Sequence, residues 1–114
     1  MRALVRTTYA VQYADPVKVN AGARVTVDRR DGGFTRWLWC RAEDGREGWV
    51  PETILTSSQA GQATVKEAYE ATEVPLEAGA SVEVLSEFDG FAWVRREDGR
   101  QGWVPATVLD RDAT

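Results

Sequence analysis

The sequence predicts an all-β chain folded as two small barrels in tandem, and three observations carry that expectation. The phrase Asp44-Gly45-Arg46-Glu47-Gly48-Trp49-Val50-Pro51 returns, with one change, as Asp98-Gly99-Arg100-Gln101-Gly102-Trp103-Val104-Pro105. A chain this short that repeats itself is two copies of one module. Short β-branched runs alternate with Gly and Pro signals on both sides of the midpoint. No segment keeps helical periodicity for three turns; Val65 to Ala71 comes nearest and is short.

Each element follows from local chemistry. Val25-Thr26-Val27 and Val82-Glu83-Val84 alternate with period two, which puts the valines on one buried face. Asp44-Gly45 and Asp98-Gly99 read as two-residue hairpin turns of the kind that requires positive φ. Gly-Trp-Val-Pro then describes a strand that stops at a proline, since proline has no N–H for the ladder. Ser57-Ser58-Gln59-Ala60-Gly61-Gln62 is small and polar, a flexible joint. The expected division is a first domain at 1–56, a linker at 57–62, a second domain at 63–110 and a tail at 111–114.

The two copies align in three blocks. Tyr9 matches Tyr69 at an offset of sixty; Val17, Val19, Gly22, Val25 and Val27 match Val74, Leu76, Gly79, Val82 and Val84 at fifty-seven. Trp39, Gly45, Gly48, Trp49 and Pro51 match Trp93, Gly99, Gly102, Trp103 and Pro105 at fifty-four. The first copy is therefore three residues longer after Tyr9 and three residues longer between Val27 and Trp39. Insertions confined to loops are what a shared barrel tolerates.

Composition narrows the function. Domains of roughly 55 residues bury only about 60% of their unfolded surface, so each needs a dense aromatic core, which five Trp residues suit. There is no His, the side chain most used for acid–base work near neutral pH. Cys40 is the single cysteine, which rules out an intramolecular disulfide and a cysteine-based zinc site. It follows Trp39 on an expected strand with no His to activate it, and reads as a small packing residue. Carboxylates are plentiful, yet no spacing sets an acid–base pair, and no phosphate loop or nucleophile motif is present. The expectation is a chain that is not an enzyme and takes no cofactor or metal.

Residues 1–56 carry nine Lys/Arg against seven Asp/Glu, while 57–114 carry five against eleven. Arg24, Arg29, Arg30 and Arg36 hint at a basic face, but a solvated polar surface accounts for them better than a nucleic-acid footprint. Neither a signal-peptide run nor an apolar stretch of membrane-spanning length is seen, so a cytoplasmic location is expected.

The ordered set resembles the Src homology 3 (SH3) family. Val17-Lys18-Val19-Asn20-Ala21-Gly22 and Val74-Pro75-Leu76-Glu77-Ala78-Gly79 are similar to that family's middle segment. Trp39-Cys40 and Trp93-Val94 are similar to its Trp strand, and Gly48-Trp49-Val50-Pro51 and Gly102-Trp103-Val104-Pro105 to its end. The resemblance implies two five-stranded barrels, each with an aromatic groove for proline-rich segments in the polyproline II conformation. By position it assigns Tyr9, Trp39, Pro51 and Ile54 to one peptide-binding groove and Tyr69, Trp93, Pro105 and Val108 to the other. Thr7 and Glu67 stand where the family has a first groove Tyr, and Ile54 and Val108 where it has the last. The resemblance gives Trp39 and Trp93 an indole face for stacking and an N–H for a ligand carbonyl. Trp37 aligns with Phe91 and is expected to be structural. Asp15, Glu70, Glu73 and Glu77 fall where the family places carboxylates that select a ligand's basic flank.

The leading expectation is a non-catalytic interaction module that binds an extended, proline-containing segment of a protein partner. Neither nucleic acid nor membrane is expected as a partner. The alternatives are a structural or oligomerisation role with degenerate grooves, and attachment to cell-wall peptidoglycan.

Overall fold

The computed structural model describes residues 1–56 and 61–110; the expected tail at 111–114 and most of the expected linker, 57–60, lie outside them. The described chain is all-β, with eleven strands and two single 3-10 turns, consistent with SH3-like β structure. The chain divides into two compact units. Unit 1 combines Met1–Ala14 with Thr72–Thr114, and unit 2 is the continuous segment Asp15–Ala71.

This division differs from the sequential one that the repeat suggested. In unit 1, β1 (Arg2–Val5) lies between β8 (Ser81–Phe88) and β11 (Leu109–Asp110), and β9 (Phe91–Arg95) and β10 (Gln101–Pro105) continue the sheet. The register pairs Ala3 with Val82 and Val5 with Leu109. In unit 2 the order is β5 (Glu47–Pro51), β4 (Trp37–Ala42), β3 (Arg24–Arg30), β6 (Gln62–Thr64), with β2 (Lys18–Val19) paired to β7 (Tyr69–Glu70). Each copy's opening strand thus completes the barrel of the other copy.

The exchange has a simple packing basis. Ala3 and Val5 on β1 are buried, and so are Ala63 and Val65 at the same places sixty residues on. The two opening strands offer the same inward side chains, so each fits either core. Charge redistributes with the exchange: unit 1 carries six Lys/Arg against nine Asp/Glu, and unit 2 eight against nine. The contrast between the halves of the sequence is therefore much reduced between the units.

The cores are dominated by valine. Val17, Val25, Val50 and Val65 are at most 1% exposed in unit 2, as are Val74, Val82, Val94 and Val104 in unit 1. Gly48 and Gly102 let a returning segment lie directly on the hairpin strand. A Cβ at Gly102 would stand 2.7 Å from the Glu73 carbonyl carbon and the Val74 nitrogen, and one at Gly48 3.0 Å from Val17 Cγ1. Trp103 N–H donates to the Thr72 carbonyl across this contact, at 2.8 Å.

The hairpin turns correct the two-residue expectation. Gly45 N–H donates to the Ala42 carbonyl (3.0 Å) and Ala42 N–H to the Arg46 carbonyl (2.9 Å), which makes a three-residue loop of Glu43, Asp44 and Gly45. Gly45 and Gly99 alone take positive φ there, both near 90°, as in a type I turn closed by a left-handed residue. The two-residue turn that does need positive φ twice is Asp89-Gly90, with φ of 40° and 87°, between the paired residues Phe88 and Phe91. The expected linker residues Gly61 and Gln62 belong to the fold: Val27 N–H donates to the Gly61 carbonyl at 2.7 Å, and Gln62 opens β6. The Val65–Ala71 stretch is not helical: Val65 bridges Leu55, Lys66 and Glu67 bend, and Tyr69 and Glu70 form β7.

Candidate functional site

One outer hairpin face in each unit gathers the aromatic residues. Side chains alternate across a strand, so in unit 2 Leu38, Cys40, Ala42 and Val50 point to the core side. Trp37, Trp39, Trp49 and Pro51 lie on the other face. Along the β4–β5 ladder Trp37 is opposite Pro51 and Trp39 is opposite Trp49. Along β9–β10 in unit 1, Phe91 is opposite Pro105 and Trp93 is opposite Trp103. Both Trp pairs pack edge to face, with centroids 5.0 and 5.4 Å apart, an arrangement the ring quadrupole favours.

This register moves the aromatic partner of each proline. Trp39 and Trp93, expected beside Pro51 and Pro105, sit one step along the same face, and Trp37 and Phe91 occupy the position across from the prolines. The resemblance places Trp39 and Trp93 with the prolines, but neither loop size sets them across the ladder. A two-residue turn at Asp44-Gly45 would set Leu38 against Pro51 and Trp39 against Val50, whereas the three-residue loop sets Trp37 against Pro51 and Trp39 against Trp49. Counting the loop correctly would have found Trp37 and Phe91 from sequence.

The indole N–H groups of Trp39 and Trp93 have partners on the facing strand. Trp39 Nε1 donates to Glu47 Oε1 at 3.1 Å and Trp93 Nε1 to Gln101 Oε1 at 3.0 Å. These bonds are at the exposed surface, where exchange for a ligand acceptor costs little.

The expected grooves are regrouped by the strand exchange. Tyr9 lies in unit 1 with Trp93 and Pro105, and Tyr69 lies in unit 2 with Trp39 and Pro51. Tyr69 hydroxyl donates to the Trp49 carbonyl at 2.8 Å, tying it to the hairpin face. Tyr9 hydroxyl donates instead to Glu73. Burial, followed by that carboxylate, raises the Tyr9 phenol well above its ordinary range. Ile54 and Val108, expected at the ends of the grooves, are 8% exposed and belong to the two cores. Their aliphatic side chains follow the 3-10 turn inward, where the core absorbs them. Pro51 is buried and Pro105 half-buried.

The four expected charge-selecting residues do not form one cluster. Glu73 is committed internally, accepting from the backbone N–H of Gln12 (3.3 Å) and Tyr13 (3.1 Å) besides Tyr9. Asp15 pairs with Arg46 at 3.2 Å, Glu70 lies on β7 across from Lys18, and Glu77 is exposed beside an open cleft of about 430 Å³ shared with Glu97 and Asp98. The arginines that hinted at a basic face are largely paired. Arg29 meets Asp28 at 2.7 Å, and Arg30 and Arg36 share Glu52 at 2.6 and 3.4 Å. The hydrogen bond from Arg30, helped by Arg36, holds the Glu52 carboxyl below its usual range.

Arg29 has a second role that sequence did not show. Its guanidinium carbon lies 5.1 Å from the Trp39 ring centre and 5.4 Å from that of Trp49. The bulge between Val27 and Arg29 sets it over the pair. Cys40 is fully buried, and burial pushes its thiol up to about 12. Among the described residues no group of three or more His, Cys, Asp or Glu could hold a metal ion. No described helix is long and apolar enough to cross a membrane.

Over 127 aligned positions the chain is 29% identical to human SH3 and PX domain-containing protein 2B, and equally to the mouse protein of that name. The alignment covers 96% of this chain, and the chain spans 13% of the length of these curated relatives. No family model matches the chain, and no solved structure matches it.

Proposed function

We propose that the chain is a non-catalytic protein-interaction module in which the aromatic hairpin face of unit 1 receives an extended, proline-containing segment. The observation that carries this reading is the pairing of the half-buried ring of Phe91 with the half-buried Pro105 across one ladder. Rings and prolines side by side give ridges between which a polyproline II ligand can lay its own proline rings. The similarity to proteins named for SH3 and PX domains supports the same class of function. Phe91 and Pro105 are half-buried where Trp37 and Pro51 are buried, which favours unit 1 as the main peptide-binding face.

Titration of the full chain with proline-rich peptides, followed by amide and indole NMR signals, tests this. Shifts centred on Phe91, Trp93 and the strand before Pro105 are expected, and Phe91→Ala should weaken binding about tenfold or more, as truncating an aromatic anchor does. Saturating peptide that leaves these signals in place sinks the reading.

The interchangeable opening strands favour one second reading, self-association by exchange of β1 between chains. Light scattering across a range of concentration distinguishes it, because only the second reading requires a concentration-dependent dimer.

A further inference from the structure

Unit 2 is inserted whole into unit 1. The chain leaves unit 1 after Ala14, builds Asp15–Ala71, and re-enters unit 1 at Thr72. Both crossings are short, and each is anchored on either side. In unit 1, Glu73 accepts from the backbone N–H of Gln12 and Tyr13, and Trp103 N–H donates to the Thr72 carbonyl at 2.8 Å. In unit 2, Ala71 N–H donates to the Val17 carbonyl at 3.0 Å, and β2 pairs with β7 directly beyond. Val17 and Ala71 are both buried in the core of that unit. The ends of folded unit 2 are thus one hydrogen bond apart.

We infer that unit 2 acts as a folded clip on unit 1: it closes the loop that joins Tyr13 to Thr72, and its folding sets how firmly the peptide face of unit 1 is held. While unit 2 is folded, the Val17–Ala71 bond closes that loop through a handful of residues. When unit 2 is unfolded, the whole of Asp15–Ala71 becomes the loop. Closure of a flexible loop becomes rarer as about the three-halves power of its length, so folded unit 1 is then disfavoured roughly twentyfold. The penalty falls on the peptide face because Thr72 and Glu73, the first residues after the second crossing, lie along β10. Glu73 bridges Trp103, and its main chain fills the space that a Cβ at Gly102 would need. Its carboxylate also holds Tyr9. Coupling of this kind is reciprocal, so folded unit 1, by holding Tyr13 and Thr72 together, stabilises unit 2 by the same factor. A tandem with one barrel simply after the other has no such coupling, since the loops of each barrel close within it. The effect on peptide affinity rests on the proposal that unit 1 binds an extended peptide; the coupling of the two folds does not.

The test uses the full chain in urea, with the amide signals of Ala92 and Val94 reporting unit 1 and those of Val25 and Cys40 reporting unit 2. Val50→Asp puts a charge into the core of unit 2, where Val50 is 0% exposed, and should unfold that unit. The folding equilibrium of unit 1 should then fall about twentyfold, and peptide affinity should fall by the fraction of unit 1 that is lost. The mirror variant Val104→Asp unfolds unit 1 and reads the same coupling from unit 2, which decides the matter where Val50→Asp leaves neither unit folded. Unit 2 should there have a folding equilibrium about tenfold or more below that of the parent chain. Gly-Ser insertions of about eight residues after Ala14 and after Ala71 lengthen the clipped loop and should shrink the penalty several-fold. Unchanged midpoints of unit 1 in Val50→Asp, or of unit 2 in Val104→Asp, overturn the clip. So does a penalty that the insertions leave intact, since the crossings would then not carry it. A parent chain that binds no peptide at millimolar concentration sinks the peptide reading alone, and the urea midpoints still decide the coupling.

Discussion

Tyr9 and Leu76 exchange both backbone hydrogen bonds, Tyr9 N–H to the Leu76 carbonyl at 2.8 Å and Leu76 N–H to the Tyr9 carbonyl at 3.0 Å. The equivalent tyrosine, Tyr69, pairs with Val19. These two pairings fix the connectivity: a chain entering at Met1 builds part of unit 1, makes all of unit 2, and then returns to finish unit 1.

Fragments cut by the units should therefore behave differently from fragments cut by the repeat. Residues 15–71 should fold alone, with cooperative unfolding and dispersed NMR signals. Residues 1–56 lack β6 and β7 and can complete a barrel only by seating Ala3 and Val5 where Ala63 and Val65 lie. In the full chain the cross-strand contacts of Val25 should be with Ala63, and NMR contacts of Val25 with Ala3 in their place would contradict the exchanged connectivity.

The two hairpin glycines should differ in their tolerance of a methyl group. At Gly102 an added Cβ meets backbone atoms at 2.7 Å, whereas at Gly48 the nearest atom is the end of the Val17 side chain at 3.0 Å. Backbone yields less readily than a side chain, so Gly102→Ala should cost about 2–3 kcal/mol and Gly48→Ala about 1–2 kcal/mol, the range for overpacking. Urea denaturation of the two variants gives the order.

Alkaline pH should weaken the fold. The Cys40 thiol is pushed up to about 12 in the folded chain from an ordinary value of 9.0. The folded state therefore holds a proton that the unfolded state releases. Its contribution is complete below pH 9 and is lost as pH rises towards 12. Tyr9 acts in the same direction at still higher pH, because its phenol is also raised. The melting temperature should fall between pH 8 and 11, and fall less in Cys40→Val, which installs the residue of the matching position Val94. An equal fall in that variant would remove Cys40 from the account.

The same burial protects the thiol chemically. Thiolate is the reactive form, so native protein at pH 8 should react slowly with an alkylating reagent and quickly once unfolded in guanidinium. Rapid labelling of the native chain would show that Cys40 is reached through local opening.

Acid should loosen the corner where Arg30, Arg36 and Glu52 meet. Glu52 is held below its ordinary value of 4.5. Its stabilising contribution is present above that value and is lost as pH falls through the lower folded value. Glu52→Gln should remove this part of the acid sensitivity with little change at neutral pH, because exposed pairs contribute little there. Melting curves between pH 3 and 7 for both proteins make the comparison.

Much was legible because it is local. Period-two valines such as Val25 and Val82 are core residues because alternation alone puts them on one face. Trp37 was expected to be structural, and it is 4% exposed. The Asp-Gly phrases at Asp44 and Asp98 mark hairpins, and the turn with positive φ at both residues is a third such pair, Asp89-Gly90. The size of the loops at Asp44 and Asp98 sets the register, and in a strand a one-residue change turns every side chain to the opposite face. The family resemblance points to Trp39 and Trp93 as the prolines' neighbours, whereas the ladder puts Trp37 and Phe91 across from them.

The sequence by itself determined the all-β class, the duplication and the valine cores, since each depends on residues close together in the chain. Tertiary structure decided which opening strand completes which barrel and what lies across the ladder from Trp39 and Trp93. No local pattern could choose the first, because Ala3-Val5 and Ala63-Val65 present the same inward side chains to either core. The second depends on bulges that bring Arg29 and Ser86 into register across a ladder, so two nearly identical hairpin faces were given different surfaces.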